Sequence, residues 1–81
     1  MTDRVKRVEL LLEIEQELDR ARAKHIEFPS THHGYAVLAE EVDELWDHVR
    51  MKEPDPSKMR KECIQIAAMA IRFIEDVCEG R

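Results

Sequence analysis

Residues 63–74 read Cys63, Ile64, Gln65, Ile66, Ala67, Ala68, Met69, Ala70, Ile71, Arg72, Phe73 and Ile74, with Gln65 and Arg72 the only polar positions. The run is shorter than the roughly 18 apolar residues needed to cross a bilayer. As a helix it is apolar over about half its circumference or more, so it must be covered on two sides. Ala67, Ala68 and Ala70 would let another helix approach closely. One side is expected to meet the rest of the chain and the other a second subunit. The length of 81 residues agrees, because a lone domain of about this size buries only about 60% of the surface its unfolded chain exposes.

The rest of the chain reads as two further helices joined by short turns. Over about 3–24, Val5, Val8, Leu11, Leu12 and Leu18 recur at helical intervals, with Thr2 or Asp3 available to cap the start. Phe28-Pro29-Ser30-Thr31 breaks the pattern, since proline disfavours helix at the residue before it and Ser30 or Thr31 can cap the next helix. That second helix, over about 32–50, carries Leu38, Val42, Leu45 and Val49 within an arc of about 60°, with Trp46 on its flank. Asp55-Pro56 then looks like an N-cap followed by proline at the first helical position, opening a third helix over about 56–78. The fold expected is all-α: one domain, a three-helix subunit that completes a helical bundle by homo-oligomerisation.

A net charge of −5 argues against the basic footprint of sequence-independent binding to a nucleic acid polymer. No membrane span and no secretory leader are apparent, so the expected location is cytoplasmic. Cys63 and Cys78 fall on one helix about 22 Å apart, beyond disulfide reach, and are expected as buried, unreactive thiols.

The chemistry lies in two motifs, Glu41-Val42-Asp43-Glu44 on the second helix and Glu62-Cys63-Ile64-Gln65 on the third. Residues three apart on a helix are surface neighbours, so each motif aims two oxygen-bearing side chains the same way. Packed side by side, the helices would gather Glu41, Glu44, Glu62 and Gln65 around a small space suited to a hard divalent cation, Mg²⁺ above all, with Mn²⁺ as the alternative. Glu40, Glu41, Asp43, Glu44 and Asp47 also repel one another along the second helix, which a bound cation would relieve. The competing reading is an exposed charged face, the common fate of such pairs. Glu15, interrupting the apolar side of the first helix, is a candidate for the same cleft or for simple solvent contact.

The EExxE pattern, preceded by His33-Gly34-Tyr35-Ala36-Val37-Leu38 and followed after a turn by Glu62 and Gln65 on a strongly apolar helix, resembles the MazG-like all-α nucleotide pyrophosphohydrolases over about residues 32–77. That resemblance implies a homo-oligomer, dimer or tetramer, that binds Mg²⁺ and hydrolyses a nucleoside triphosphate or related nucleotide to the monophosphate and pyrophosphate. It implies Glu41 and Glu44 as metal ligands of the first motif and Glu62 as the glutamate of the second, with Glu41 or Glu44 orienting or deprotonating the attacking water. Gln65 stands where the family expects aspartate. An amide oxygen can bind a hard cation but brings no charge and cannot act as a base, so the alternative is a catalytically weak or silent nucleotide- or metal-binding oligomer. A structural helical dimer with solvated carboxylates is the third reading. The sequence stops at Arg81, soon after the third helix, where many relatives carry a further helix, so pocket residues beyond the metal motifs are not carried over.

For the triphosphate, Lys58, Lys61 and Arg72 project onto the Glu62/Gln65 side of the third helix within an arc of about 60°, with Arg72 the first choice. Their alternative is to snorkel from a crowded helix or to pair with Glu75 and Asp76. His48 is expected near the acids or a phosphate. His25, His32 and His33 flank a loop that could approach the base, and Phe28, Tyr35 and Trp46 could stack on it or belong to core or interface.

Overall fold

The structure, a computed structural model, describes residues 2–80. Three helices, α1 (Asp3–Lys24), α2 (Thr31–Val49) and α3 (Pro56–Phe73), lead into a π-helical turn, Ile74–Cys78, and no strand occurs among the described residues. All three starts are capped as their sequences predict. Thr2 accepts from the Val5 N–H, Ser30 from the His33 N–H and Asp55 from the Ser57 N–H, with Pro56 opening α3. Each cap satisfies a donor the helix itself leaves unpaired. The third helix does reach Cys78, but its last turn widens from α to π, which resets the direction of Glu75 and Asp76.

α1 and α2 each pack on α3 and scarcely touch each other. Glu13 pairs with Arg60 and Arg22 with Asp76, so α1 runs parallel to α3. Gly34 lies against Phe73 and His48 against Glu62, so α2 runs antiparallel to it. The core is thin: Ala21, Phe28, Ala68 and Met69 are buried, with Ile14, Leu18, Val37, Leu38, Phe73 and Val77 packed around them.

Two sequence expectations are corrected here. On α1 the stripe of Val5, Val8, Leu11 and Leu12 is exposed, and the helix meets α3 through Ile14, Leu18 and Ala21 instead. Glu13 sits opposite Arg60, one turn into α3, so the first turns of α1 project past the start of α3 and have nothing to cover them. Cys63 and Cys78 are exposed rather than buried, because Cys63 occupies the side of α3 turned away from both other helices.

Gly34 marks the closest approach of α2 to its neighbours. A Cβ there would lie 2.8 Å from Phe73 Cδ2 and 3.2 Å from Phe28 Cδ2. Gly34→Val is expected to destabilise the fold by about 2 kcal/mol, because overpacking outweighs the gain in helix propensity. Urea unfolding measures this, and an unchanged midpoint would show that the two rings can move aside freely.

Candidate functional site

Glu41 and Glu44 lie one turn apart on the α3-facing side of α2, and Glu62 heads the facing stretch of α3. The three offer carboxylate oxygens that all lie within 4.8 Å of one another, and all three residues are half-buried. The one-turn spacing thus brings together the acids it was expected to. Gln65 joins them as a donor. With its carboxamide nitrogen toward the acids, the orientation the network favours, it reaches Glu41 Oε2 at 3.0 Å and Glu62 Oε2 at 3.2 Å. His48 Nε2 lies 3.8 Å from Glu62 Oε1, beside the cluster.

Burial raises the Glu41 carboxyl, and the neighbouring charges of Glu44 and Glu62 and hydrogen bonds shared with both raise it further, to about 7. A carboxyl raised this far is only partly ionised at neutral pH, which eases the crowding of negative charge around it. The donor set suits a divalent cation: hard oxygens from three side chains, a fourth oxygen when the Gln65 amide turns over, and a local excess of negative charge.

The raised carboxyl gives stability a definite pH dependence. Between the ordinary carboxylate value of 4.5 and about 7, folded Glu41 binds a proton that the unfolded chain has released. Its contribution is therefore complete below the lower value and is lost as pH rises through the upper one. In a chelator the thermal midpoint is expected to fall between pH 5 and pH 8, and Glu41→Gln is expected to flatten that slope. An equal slope in wild type and variant would show that the proton resides elsewhere.

Glu41 and Gln65 also form one wall of a cavity of about 540 Å³ between α1, α2 and α3, a volume in the range of small-molecule pockets. α1 contributes Glu17, Arg20 and Lys24 to it, successive positions of one face, and His25, His33 and Glu40 stand around it with Phe28, Val37 and Met69 as apolar lining. Glu15 is exposed and does not line this cavity, the neighbouring face of α1 bearing Glu17 being the one turned inward.

The cations proposed from α3 are distributed differently from expectation. Arg72 does reach the cavity, but as a buried part of its floor, 3% exposed, with its guanidinium 4.1 Å from the centre of the Phe28 ring and donating to the Ile26 carbonyl at 3.0 Å. Burial, then the charge of Arg22, hold it below its ordinary pKa, against the pull of Asp76. Lys61 lines a separate groove of about 400 Å³ on the far side of Gln65, with Arg60 and Glu13. Lys58 is exposed in the first turns of α3 and lines neither cavity. Asp76 and Glu75 pair with Arg22 of α1. Of the aromatic side chains, Phe28 borders the cavity while Tyr35 and Trp46 point away from it.

Two further cations line the cavity, Arg20 and Lys24, which the motif pattern did not single out. Their signal is the spacing Glu17, Arg20, Ala21, Lys24, a stripe of α1 that continues the buried side. Arg20 donates to Glu17 through Nε and Nη2, whereas Lys24 has no ion pair among the described residues.

Fold and site together define an all-α fold with a three-carboxylate cluster at the edge of a mixed-charge cavity. Compared with family models, with curated proteins and with solved structures, the chain gives no match.

Proposed function

We propose that the chain is a Mg²⁺-dependent nucleotide pyrophosphohydrolase of MazG-like type, acting as a cytoplasmic homo-oligomer on a nucleoside triphosphate. The observation that carries the reading is the convergence of Glu41, Glu44 and Glu62 across α2 and α3, with Glu41 also on the wall of a cavity that presents Lys24, His25 and His33. A triphosphate with a base has these needs: oxygen ligands for its cation, positive charge for its phosphates, and apolar walls for its ring.

Glu41, Glu44 and Glu62 would hold the ion, with Gln65 turning its amide oxygen inward. Bound there, Mg²⁺ supplies charge neutralisation on the non-bridging phosphate oxygens and on the leaving pyrophosphate. The chain's own residues do the rest. Glu41 or Glu44 orients the water and takes its proton as the water oxygen bonds to phosphorus and the bridging P–O bond breaks. Lys24 meets the phosphates, and Phe28, Val37 and Met69 exclude water around the base.

The test is pyrophosphate release from a panel of canonical and modified nucleoside triphosphates with Mg²⁺ or Mn²⁺. No release from any of them, alongside calorimetric nucleotide binding, would leave the second reading, a metal- and nucleotide-binding oligomer without turnover. Gln65 favours that reading, since it removes one charge and occupies two acids as a donor. Gln65→Asp separates the two: gained turnover would mean that one missing carboxylate limits the site.

A further inference from the structure

The groove on the far side of Gln65 has no part in the chemistry above, although it adjoins the cavity that does. The cavity of about 540 Å³ and the groove of about 400 Å³ share Glu17, Arg20 and Gln65 as walls, and the Gln65 amide reaches Glu41 and Glu62. The acids therefore stand where the two spaces meet. Along α3 the joined trough runs from Ser57 in the groove to Arg72 in the cavity, about 22 Å at about 1.5 Å per residue. Gln65 lies about 12 Å from the first and about 10 Å from the second, close to the middle. A ligand that fills the trough has its phosphoanhydride bond near its centre and an organic group on each side.

A nucleoside triphosphate is not shaped that way. Its nucleoside occupies one arm, and only pyrophosphate is left for the other. Charge points in the same direction. In the groove Arg60 is paired with Glu13 and Arg20 with Glu17, whereas Lys61 has no ion pair among the described residues. A triphosphate carries about four negative charges and a diphosphate esterified at both ends only about two, because a second ionisation belongs to a terminal phosphate alone. One unpaired lysine matches the smaller charge. The rest of the groove presents the Gln16 amide, the Ser57 hydroxyl and the Glu13 carboxylate, with Ile64 and no aromatic ring among the described residues. Such a lining hydrogen-bonds hydroxyl groups and gives a second base nothing to stack on.

We infer that the site takes a nucleoside diphosphate whose second phosphate is esterified to a hydroxyl-rich group, a sugar above all, and prefers it to a triphosphate. The nucleoside occupies the cavity, the diphosphate lies at Glu41 and Gln65, and the sugar enters the groove among Gln16, Ser57 and Lys61. This names the substrate class of the proposed hydrolase and rests on the hydrolytic reading of the three acids. The water oxygen bonds to the phosphorus nearer the nucleoside, its proton passes to Glu41 or Glu44, and the bond from that phosphorus to the bridging oxygen breaks. The bridging oxygen leaves with the second phosphate, so the products are a nucleoside monophosphate and a sugar phosphate.

The test uses the full chain with Mg²⁺ and matched pairs, UDP-glucose with UTP, ADP-ribose with ATP and GDP-mannose with GTP, together with diadenosine diphosphate. Nucleoside monophosphate is followed by chromatography. At least one sugar nucleotide is expected to show kcat/KM about tenfold or more above that of its triphosphate. Gln16 is exposed on α1, and Gln16→Trp, which fills the groove, is expected to lower kcat/KM for the sugar nucleotide about tenfold more than for the triphosphate. Triphosphates cleaved faster than every sugar nucleotide, or a filled groove that costs both substrates equally, would overturn the inference and leave the hydrolase reading standing. A preference for diadenosine diphosphate over all three sugar nucleotides would overturn it as well. If no compound is cleaved, the hydrolase reading fails and calorimetry decides the two-armed site. Binding of UDP-glucose that Gln16→Trp weakens more than binding of UDP keeps it, and binding that is absent or equally weakened removes it.

Discussion

Changing Glu41 and Glu44 together to glutamine is expected to lower kcat/KM for pyrophosphate release by about 10²-fold to 10³-fold or more, the scale at which preorganised charge contributes to a transition state. The two substitutions are not expected to add, because in the proposed reading both acids would hold one cation. The same variant is expected to be more stable than wild type in a chelator. Removing two of three crowded carboxylates relieves the burial of charge and the repulsion that together raise Glu41 to about 7, and about 1 kcal/mol of relief would raise the midpoint by roughly 4–8 °C in a domain of this size. Mg²⁺ should raise the wild-type midpoint and leave the variant's unchanged, since a ligand stabilises only a fold that binds it. Opposite signs for activity and stability set a functional cluster apart from an exposed charged face, where both would change little. Unchanged turnover in the variant would remove these acids from the site.

The parts of this arrangement legible in the sequence are those set by local rules. Thr2, Ser30 and Asp55 announce the helix starts because capping is a property of a few adjacent residues. The convergence of Glu41, Glu44 and Glu62 is legible because one-turn spacing on two packed helices leaves few ways to point. Features that depend on which side of a helix its neighbour chooses are less so. α1 has two apolar sides, one with Val5, Val8, Leu11 and Leu12 and one with Ile14, Leu18 and Ala21, and periodicity alone favours neither. Arg20 and Lys24 escaped the motif pattern for the same reason, since Lys24 acquires its place only when the α1 side bearing Glu17 and Ala21 turns toward α3. The π-helical turn is another tertiary choice. It redirects Asp76 and Glu75 to a cation on α1, some fifty residues away in sequence, a pairing no local spacing encodes.

Asp76→Ala is expected to have the largest effect on stability, about 3–5 kcal/mol, the cost of breaking a buried ion pair from one side. The Asp76 side chain is 1% exposed and lies 2.8 Å from Arg22 through Oδ1, and its Oδ2 accepts from Arg22 and from the Phe28 N–H, each at 3.0 Å. Burial acts to raise its carboxyl, but the bonds from Arg22 and Phe28 outweigh burial and hold it below the usual carboxylate range. Its stabilisation is thus present above the ordinary value and lost as pH falls through the lowered one. Without it, Arg22 and the nearby buried Arg72 repel each other, and the Phe28 N–H loses its acceptor. Because Phe28 covers Arg72 and borders the cavity, the damage should reach the cavity even where the helices survive. With a domain stability of only about 5–15 kcal/mol to draw on, the variant is expected to be marginal at 37 °C, with Phe28 amide exchange approaching that of an open loop. Asp76→Asn keeps an acceptor for Phe28 and should lose less. Equal loss in the two variants would mean that the charge on Asp76, and not its hold on the α1–α2 loop, is what the fold requires.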